Sequence, residues 1–223
     1  MVTSADQAAD VGLVIFDCDG VLVDSEILGN SVLVQVITEL GLEISLEESL
    51  TQFRGGKMAD VVTEIERRLG RPVPPGFVAD FRARSAAAFR RELRAVPDIE
   101  DALDQIPVPM CVASSGPPEK IQLTLELTGL LPRFTGRIFS AYEVGIWKPD
   151  PGLFLHAASA MGVPPHNCTV VEDSVLGVRA GVAAGMRVLG FAAIEQEVVP
   201  LAEAGATPFR SMRDLPRLLA VSC

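Results

Sequence analysis

The chain has 223 residues, 48% of them hydrophobic, and a formal net charge of −10. That length buries one substantial core with room for a small second one, and no apolar run approaches the roughly 18 to 20 residues that cross a bilayer. An acidic chain with no basic patch excludes a nucleic-acid binder of the usual kind. The opening MVTSADQAAD has neither a basic head nor an apolar stretch, so no secretion signal is read there. The expectation is a cytoplasmic protein without a membrane partner, and a monomer by default.

The first element is the continuous apolar run Val11 to Phe16, the pattern of a strand buried on both faces of a parallel sheet. The segment 25–94 then breaks away from strands. Its periodicity predicts helices over Glu26 to Leu40, Leu46 to Phe53, Met58 to Leu69 and Phe77 to Leu93, the last two separated by the turn RPVPPG. Further apolar strand runs follow at Val108 to Ala113, Arg137 to Phe139, Thr169 to Val171 and Arg187 to Phe191. Helical stretches lie between them at Glu119 to Thr128, Pro151 to Met161 and Val175 to Ala184. Alternating strands and helices predict an α/β fold with a doubly wound parallel sheet. A helical block between its first and second strands predicts an inserted cap. The expected division is a core of residues 1–24 and 95–223 and an α-helical cap domain of residues 25–94.

Of four cysteines, Cys18, Cys111 and Cys168 sit in or beside strand runs and Cys223 ends the chain. Their spacing suits neither a metal site nor a disulfide framework, so buried structural thiols are expected.

Four short segments carry possible chemistry. Asp17-Cys18-Asp19-Gly20 closes the first strand, where ligands bind in open α/β sheets. Two carboxylates at that spacing point the same way and repel unless a cation or a proton separates them. They read as a nucleophile and an acid/base partner around a divalent metal, or as a plain strand-end turn. Glu172-Asp173-Ser174 closes a later strand in the same manner, with Asp173 also suited to begin the next helix. Two such pairs on one sheet form a plausible oxygen cage for Mg²⁺. Trp147-Lys148-Pro149-Asp150-Pro151 holds a lysine in a loop stiffened by proline, either solvated surface or an ammonium held against phosphate. Ala113-Ser114-Ser115-Gly116 follows a strand and precedes a helix, where N–H groups and a hydroxyl can approach a phosphate oxygen.

Taken in order, Asp17-Cys-Asp19-Gly-Val-Leu-Val-Asp24-Ser-Glu26, Ser114, Lys148-Pro-Asp-Pro and Glu172-Asp173-Ser resemble the haloacid dehalogenase superfamily over nearly the whole chain. The resemblance is to its helical-cap branch, subfamily IA. That branch includes β-phosphoglucomutase, phosphoglycolate phosphatase and sugar-phosphate phosphatases of the 6-phosphogluconate phosphatase type. It implies a Rossmann-like core and a Mg²⁺-dependent phosphatase acting on a small phosphorylated metabolite. It implies Asp17 as nucleophile and Asp19 as acid and base, with Lys148 and Ser114 stabilising the phosphoryl group. Mg²⁺ would be held by Asp17, the Asp19 carbonyl and Asp173, with Glu172 a ligand or a partner behind one. Substrate contacts are expected from Ser115 and from the loop Arg54-Gly55-Gly56-Lys57, whose charges read alternatively as solvated groups at a helix–helix turn. Glu26 faces the leaving group on this reading, or is simply a first-turn helix acid.

Asp19 argues against dehalogenation. Lys57 invites comparison with the Schiff-base lysine of phosphonoacetaldehyde hydrolases, which lack the second aspartate of the first motif. A phosphomutase of this branch carries a histidine in the hinge, whereas His156 and His166 lie far downstream. A catalytically silent phosphate-binding protein is disfavoured because none of the motif residues is lost, and a cap closing over the site disfavours protein substrates.

Overall fold

The computed structural model describes residues 11–220. The segment 1–10, in which no secretion signal is read, and Cys223 lie outside the described residues. In chain order the elements are β1 (Leu13–Phe16), α1 (Glu26–Glu39), α2 (Leu46–Phe53), α3 (Met58–Leu69), α4 (Phe77–Glu92), α5 (Ile99–Asp104) and β2 (Met110–Ser114). There follow α6 (Pro118–Leu127), α7 (Leu131–Phe134), β3 (Ile138–Ser140), α8 (Ala141–Val144), α9 (Gly152–Ala160) and β4 (Cys168–Glu172). The chain ends through α10 (Val175–Ala183), β5 (Arg187–Phe191), α11 (Glu195–Glu203), β6 (Thr207–Phe209) and α12 (Leu215–Ala220).

The strands form one parallel sheet in the order β3-β2-β1-β4-β5-β6. β1 lies inside it, paired with β2 on one side and β4 on the other. The winding reverses there, so the ends of β1, β2 and β4 border the crevice where an open α/β sheet takes its ligand. The alternation of side chains along a strand explains the continuous apolar runs. Val14 and Phe16 enter one core with Val112 and Val171, while Leu13 and Ile15 enter the opposite one with Cys111 and Val170. Both faces are therefore covered, and no position on β1 is free to be polar until Asp17.

Helices α1–α4 bury a third cluster of their own, with Val36, Ile37, Phe53, Val61, Ile65 and Phe77 in it. Helix α4 also reaches the sheet's core, because Phe89 and, just past the helix, Leu93 share a cluster with Phe16. Ser45 caps α2 by accepting from the Glu48 N–H at 3.0 Å, which fixes the turn out of α1.

The sheet has an edge strand, β6, that the sequence reading did not contain. Its central residue is Pro208, which removes a ladder donor and is tolerated at an edge. β2 begins two residues later than expected, after Pro109, whose carbonyl still accepts from the Val14 N–H at 3.0 Å. Cys18, Cys111 and Cys168 are buried free thiols. Among the described residues no helix is long and apolar enough to cross a membrane.

Candidate active site

Asp17 is the first residue after β1 and is 8% exposed. Lys148, on the loop before α9, donates to Asp17 Oδ1 at 2.7 Å and to Glu172 Oε1 at 2.6 Å. The other oxygen of Glu172 accepts from the Asp173 N–H at 2.9 Å and from the Ser174 N–H and hydroxyl, each at 3.0 Å. Glu172 thus fixes both the ammonium and the turn that carries Asp173. Ser174 in turn caps α10 by accepting from the Gly177 N–H at 3.1 Å.

Two glycines permit this closeness. A Cβ at Gly177 would meet Glu172 Oε1 at 1.8 Å, and one at Gly20 would meet Asp173 Oδ2 at 1.9 Å. Gly20 also has φ +76, a conformation that a side chain disfavours.

Asp19 lies on the same turn, facing the helical insertion. One of its oxygens accepts from the Ser25 hydroxyl, and the other from Lys120 Nζ at 2.9 Å. Ser114, 1% exposed at the end of β2, accepts from the Gly116 N–H at 3.1 Å and keeps its own proton available to a ligand oxygen. Ser140 donates to the Gly116 carbonyl at 2.7 Å and holds this loop from the neighbouring strand.

The electrostatics are those of a crowded anionic centre. Burial raises the Asp17 pKa well above the carboxylate range; Lys148 opposes this, and Glu172 and Asp173 add to it. Burial likewise lifts Asp173 to about 7 against the pull of Arg54. At Asp19 burial is outweighed by Lys120 and the Ser25 hydrogen bond, so its carboxyl is held below the usual value. Burial lifts Glu26 to about 7, with the Asp19 charge adding to it. Lys148 and Lys120 are penalised by burial, yet their carboxylate partners hold both above the ordinary lysine value.

Carboxylate oxygens of Asp17, Glu172 and Asp173 lie within 4.8 Å of one another, and all three residues are buried. The set is all oxygen, and burial raises the pKa of Asp17 and of Asp173 within it. Such a set fits a hard divalent cation. Arg54, from the loop after α2, meanwhile contributes a cation: its Nε donates to Asp173 Oδ2 at 3.1 Å and its Nη2 donates to the same oxygen. Its Nη1 donates to Glu197 on α11.

A cavity of about 230 Å³ opens from Asp19 between α1, α4 and the start of α6. Of the residues proposed from sequence to meet substrate, Glu26, Gly55, Gly56 and Ser115 line it. Arg54 and Lys57 are not among its lining residues. Arg54 faces the acidic cluster, and the Lys57 ammonium sits 4.3 Å from the centre of the Trp147 ring. Sequence reasoning missed Lys120, Ser25 and Asn30. Lys120 had left a signal, since a cation in the first turn of a helix opposes the helix dipole and asks for another reason. Asn30 donates to Glu26 Oε2 at 3.1 Å and accepts from the Ser49 hydroxyl at 2.8 Å, a relay that periodicity alone does not reveal.

Comparison with known proteins agrees with this architecture. The haloacid dehalogenase-like hydrolase family matches residues 11–185. The chain is 36% identical over 206 residues to the 6-phosphogluconate phosphatase of Escherichia coli K12, covering 92% of this chain and 93% of that one. It is 29% identical over 205 residues to hexitol phosphatase B of the same organism, covering 87% and 86%. A haloacid dehalogenase-like protein from Agrobacterium tumefaciens superposes with a TM-score of 0.82 at 35% identity, covering 94% of this chain and 97% of that one. A haloacid dehalogenase family hydrolase from Deinococcus radiodurans, solved with phosphate and sodium bound, gives 0.76 at 30% identity over 95% and 96%. The chain belongs to the haloacid dehalogenase-like hydrolases.

Proposed function

We propose that this enzyme is a Mg²⁺-dependent phosphatase that hydrolyses a small sugar or sugar-acid phosphate through an aspartyl-phosphate on Asp17. The observation that carries the reading is the buried array in which Lys148 bridges Asp17 and Glu172 at 2.7 and 2.6 Å while Asp19 stands on the same turn. The Lys148 ammonium opposes the effect of burial on Asp17 and so favours the ionised form that a nucleophile needs.

In the first half-reaction an Asp17 oxygen attacks phosphorus in line. The bond to the leaving oxygen breaks as Asp19 gives that oxygen a proton. In the second, Asp19 takes a proton from water as the water oxygen attacks phosphorus. The bond to Asp17 breaks and inorganic phosphate leaves. Lys148 and the Ser114 hydroxyl face charge that grows on the phosphoryl oxygens, which is the main demand of this type of transfer. Asp17, Asp173 and the Asp19 carbonyl are the residues proposed to hold Mg²⁺, with Glu172 fixing Lys148 beside them. The metal, when bound, neutralises phosphoryl charge.

Residues 25–94 act as the cap on this reading, closing the cavity against bulk water. Two relatives, named a 6-phosphogluconate phosphatase and a hexitol phosphatase, support a polyhydroxylated leaving group. The cavity volume of about 230 Å³ falls below the ~300–1,000 Å³ of sites for drug-sized ligands, which favours a small metabolite such as 6-phosphogluconate or phosphoglycolate. The test is phosphate release from a panel of sugar, polyol and acid phosphates with and without Mg²⁺. Turnover that requires the metal and is lost in Asp17→Asn upholds the proposal. Equal turnover in the variant sinks it.

A further inference from the structure

Helix α4 lines the cavity with Phe81, Arg82, Ser85, Ala86 and Phe89. That spacing presents one face of the helix to the ligand space. Two of these side chains, Arg82 and Ser85, are polar.

Ser85 is 6% exposed, and its hydroxyl oxygen is enclosed without a hydrogen-bond partner. A buried hydroxyl left unpaired is costly, so a ligand hydroxyl reaching it is favoured over an apolar group. Arg82 lies one turn earlier on the same face with its side chain 38% exposed. Its guanidinium rests 5.3 Å from the centre of the Tyr142 ring and donates to the Tyr142 hydroxyl at 3.1 Å. Its carboxylate partner, Glu119, is 3.6 Å away and 69% exposed. An exposed pair of that kind contributes little and is readily exchanged for a carboxylate that arrives with the substrate. A planar guanidinium held against Tyr142 suits a two-pronged contact with a carboxylate.

Asp19 and Lys120, joined at 2.9 Å, line the same cavity as Arg82 and Ser85 and mark its reacting end. We propose that α4 reads the leaving group, Ser85 through a hydroxyl and Arg82 through a terminal carboxylate, so that the preferred substrates are phosphorylated sugar acids. This rests on the phosphatase reading above and adds the residues that select among its substrates. An uncharged polyol phosphate satisfies Ser85 and leaves Arg82 with Glu119.

The test compares an aldonic acid phosphate with the alditol phosphate of the same chain length. Binding is measured calorimetrically on the Asp17→Asn protein with Mg²⁺, and kcat/KM on the active enzyme. The expected preference is about tenfold for the acid, the discrimination that one charged contact supplies. Arg82→Ala brings the ratio close to one, and Arg82→Lys, which keeps the charge without the fork, gives an intermediate ratio. Ser85→Ala weakens both ligands about tenfold relative to inorganic phosphate, as expected for one lost hydrogen bond in a closed site. An Arg82→Ala protein that keeps the parental acid-to-polyol ratio overturns the assignment, as does a parent with no preference. Turnover of 4-nitrophenyl phosphate is scored separately. Its absence strikes the phosphatase reading, while the binding ratios still judge Arg82 and Ser85.

Discussion

Lys148 donates to Glu172 at 2.6 Å with the same ammonium that it offers to Asp17 at 2.7 Å. One buried cation therefore ties the end of β1 to the end of β4. Removing it leaves two buried carboxylates facing each other. Lys148→Ala is expected to lose about 3–5 kcal/mol of stability in metal-free buffer, read from urea unfolding, and to lose activity. A loss below about 1 kcal/mol, the level of an exposed pair, would mean that the bridge does not form in solution.

Gly177 tests the same centre from behind. Its missing side chain leaves room for Glu172 Oε1, which a Cβ would meet at 1.8 Å. Gly177→Ala must push that carboxylate aside, and overpacking of this kind costs about 1–3 kcal/mol or more. The expected variant is destabilised in thermal unfolding and impaired in phosphate release, although residue 177 touches no substrate. A variant with the parental Tm and rate would contradict the packing described.

Arg54 and a divalent cation draw on the same carboxylate. Arg54 donates through two nitrogens to Asp173 Oδ2, so a metal that recruits Asp173 works against that pair. Arg54→Ala is expected to bind Mg²⁺ more tightly than the parent in calorimetric titration without substrate. Weaker binding would show that Arg54 supports the metal site instead of competing with it.

Glu26 supplies a pH dependence. Its folded pKa is raised from 4.5 to about 7, chiefly by burial, so between those values the folded protein holds a proton that the unfolded chain has released. Stability then falls as pH rises from about 4.5 through 7, because the unfolded state binds fewer protons. Asp173, raised for the same reason, adds to the slope. In chelator, Glu26→Gln is expected to flatten the dependence of Tm on pH across this window. An unchanged slope would remove Glu26 as a source.

Much of this was legible in the sequence because each motif is local. An apolar strand covered on both faces cannot carry a carboxylate until it ends, so Asp17 and Glu172 announce both the sheet and its ligand end. The pair between Lys120 and Asp19 was not legible, since its partners stand 101 residues apart and meet only through the order of strands. Nor was the direction of Arg54. A loop between helices gives no sign that its guanidinium faces Asp173 and Glu197 while its neighbouring glycines line the cavity. β6 was hidden because a short edge strand with Pro208 at its centre lacks the apolar alternation that marks strands elsewhere.

The central claim is that the phosphoryl group passes through Asp17. The direct measurement is rapid-quench peptide mass spectrometry of Asp19→Asn mixed with 4-nitrophenyl phosphate and Mg²⁺. Loss of the base that activates water slows the second half-reaction, and this substrate's leaving group needs little help in the first. The account predicts a phosphorylated peptide carrying the modification at Asp17. Phosphate release with no phosphopeptide, or with the group on another residue, would contradict it.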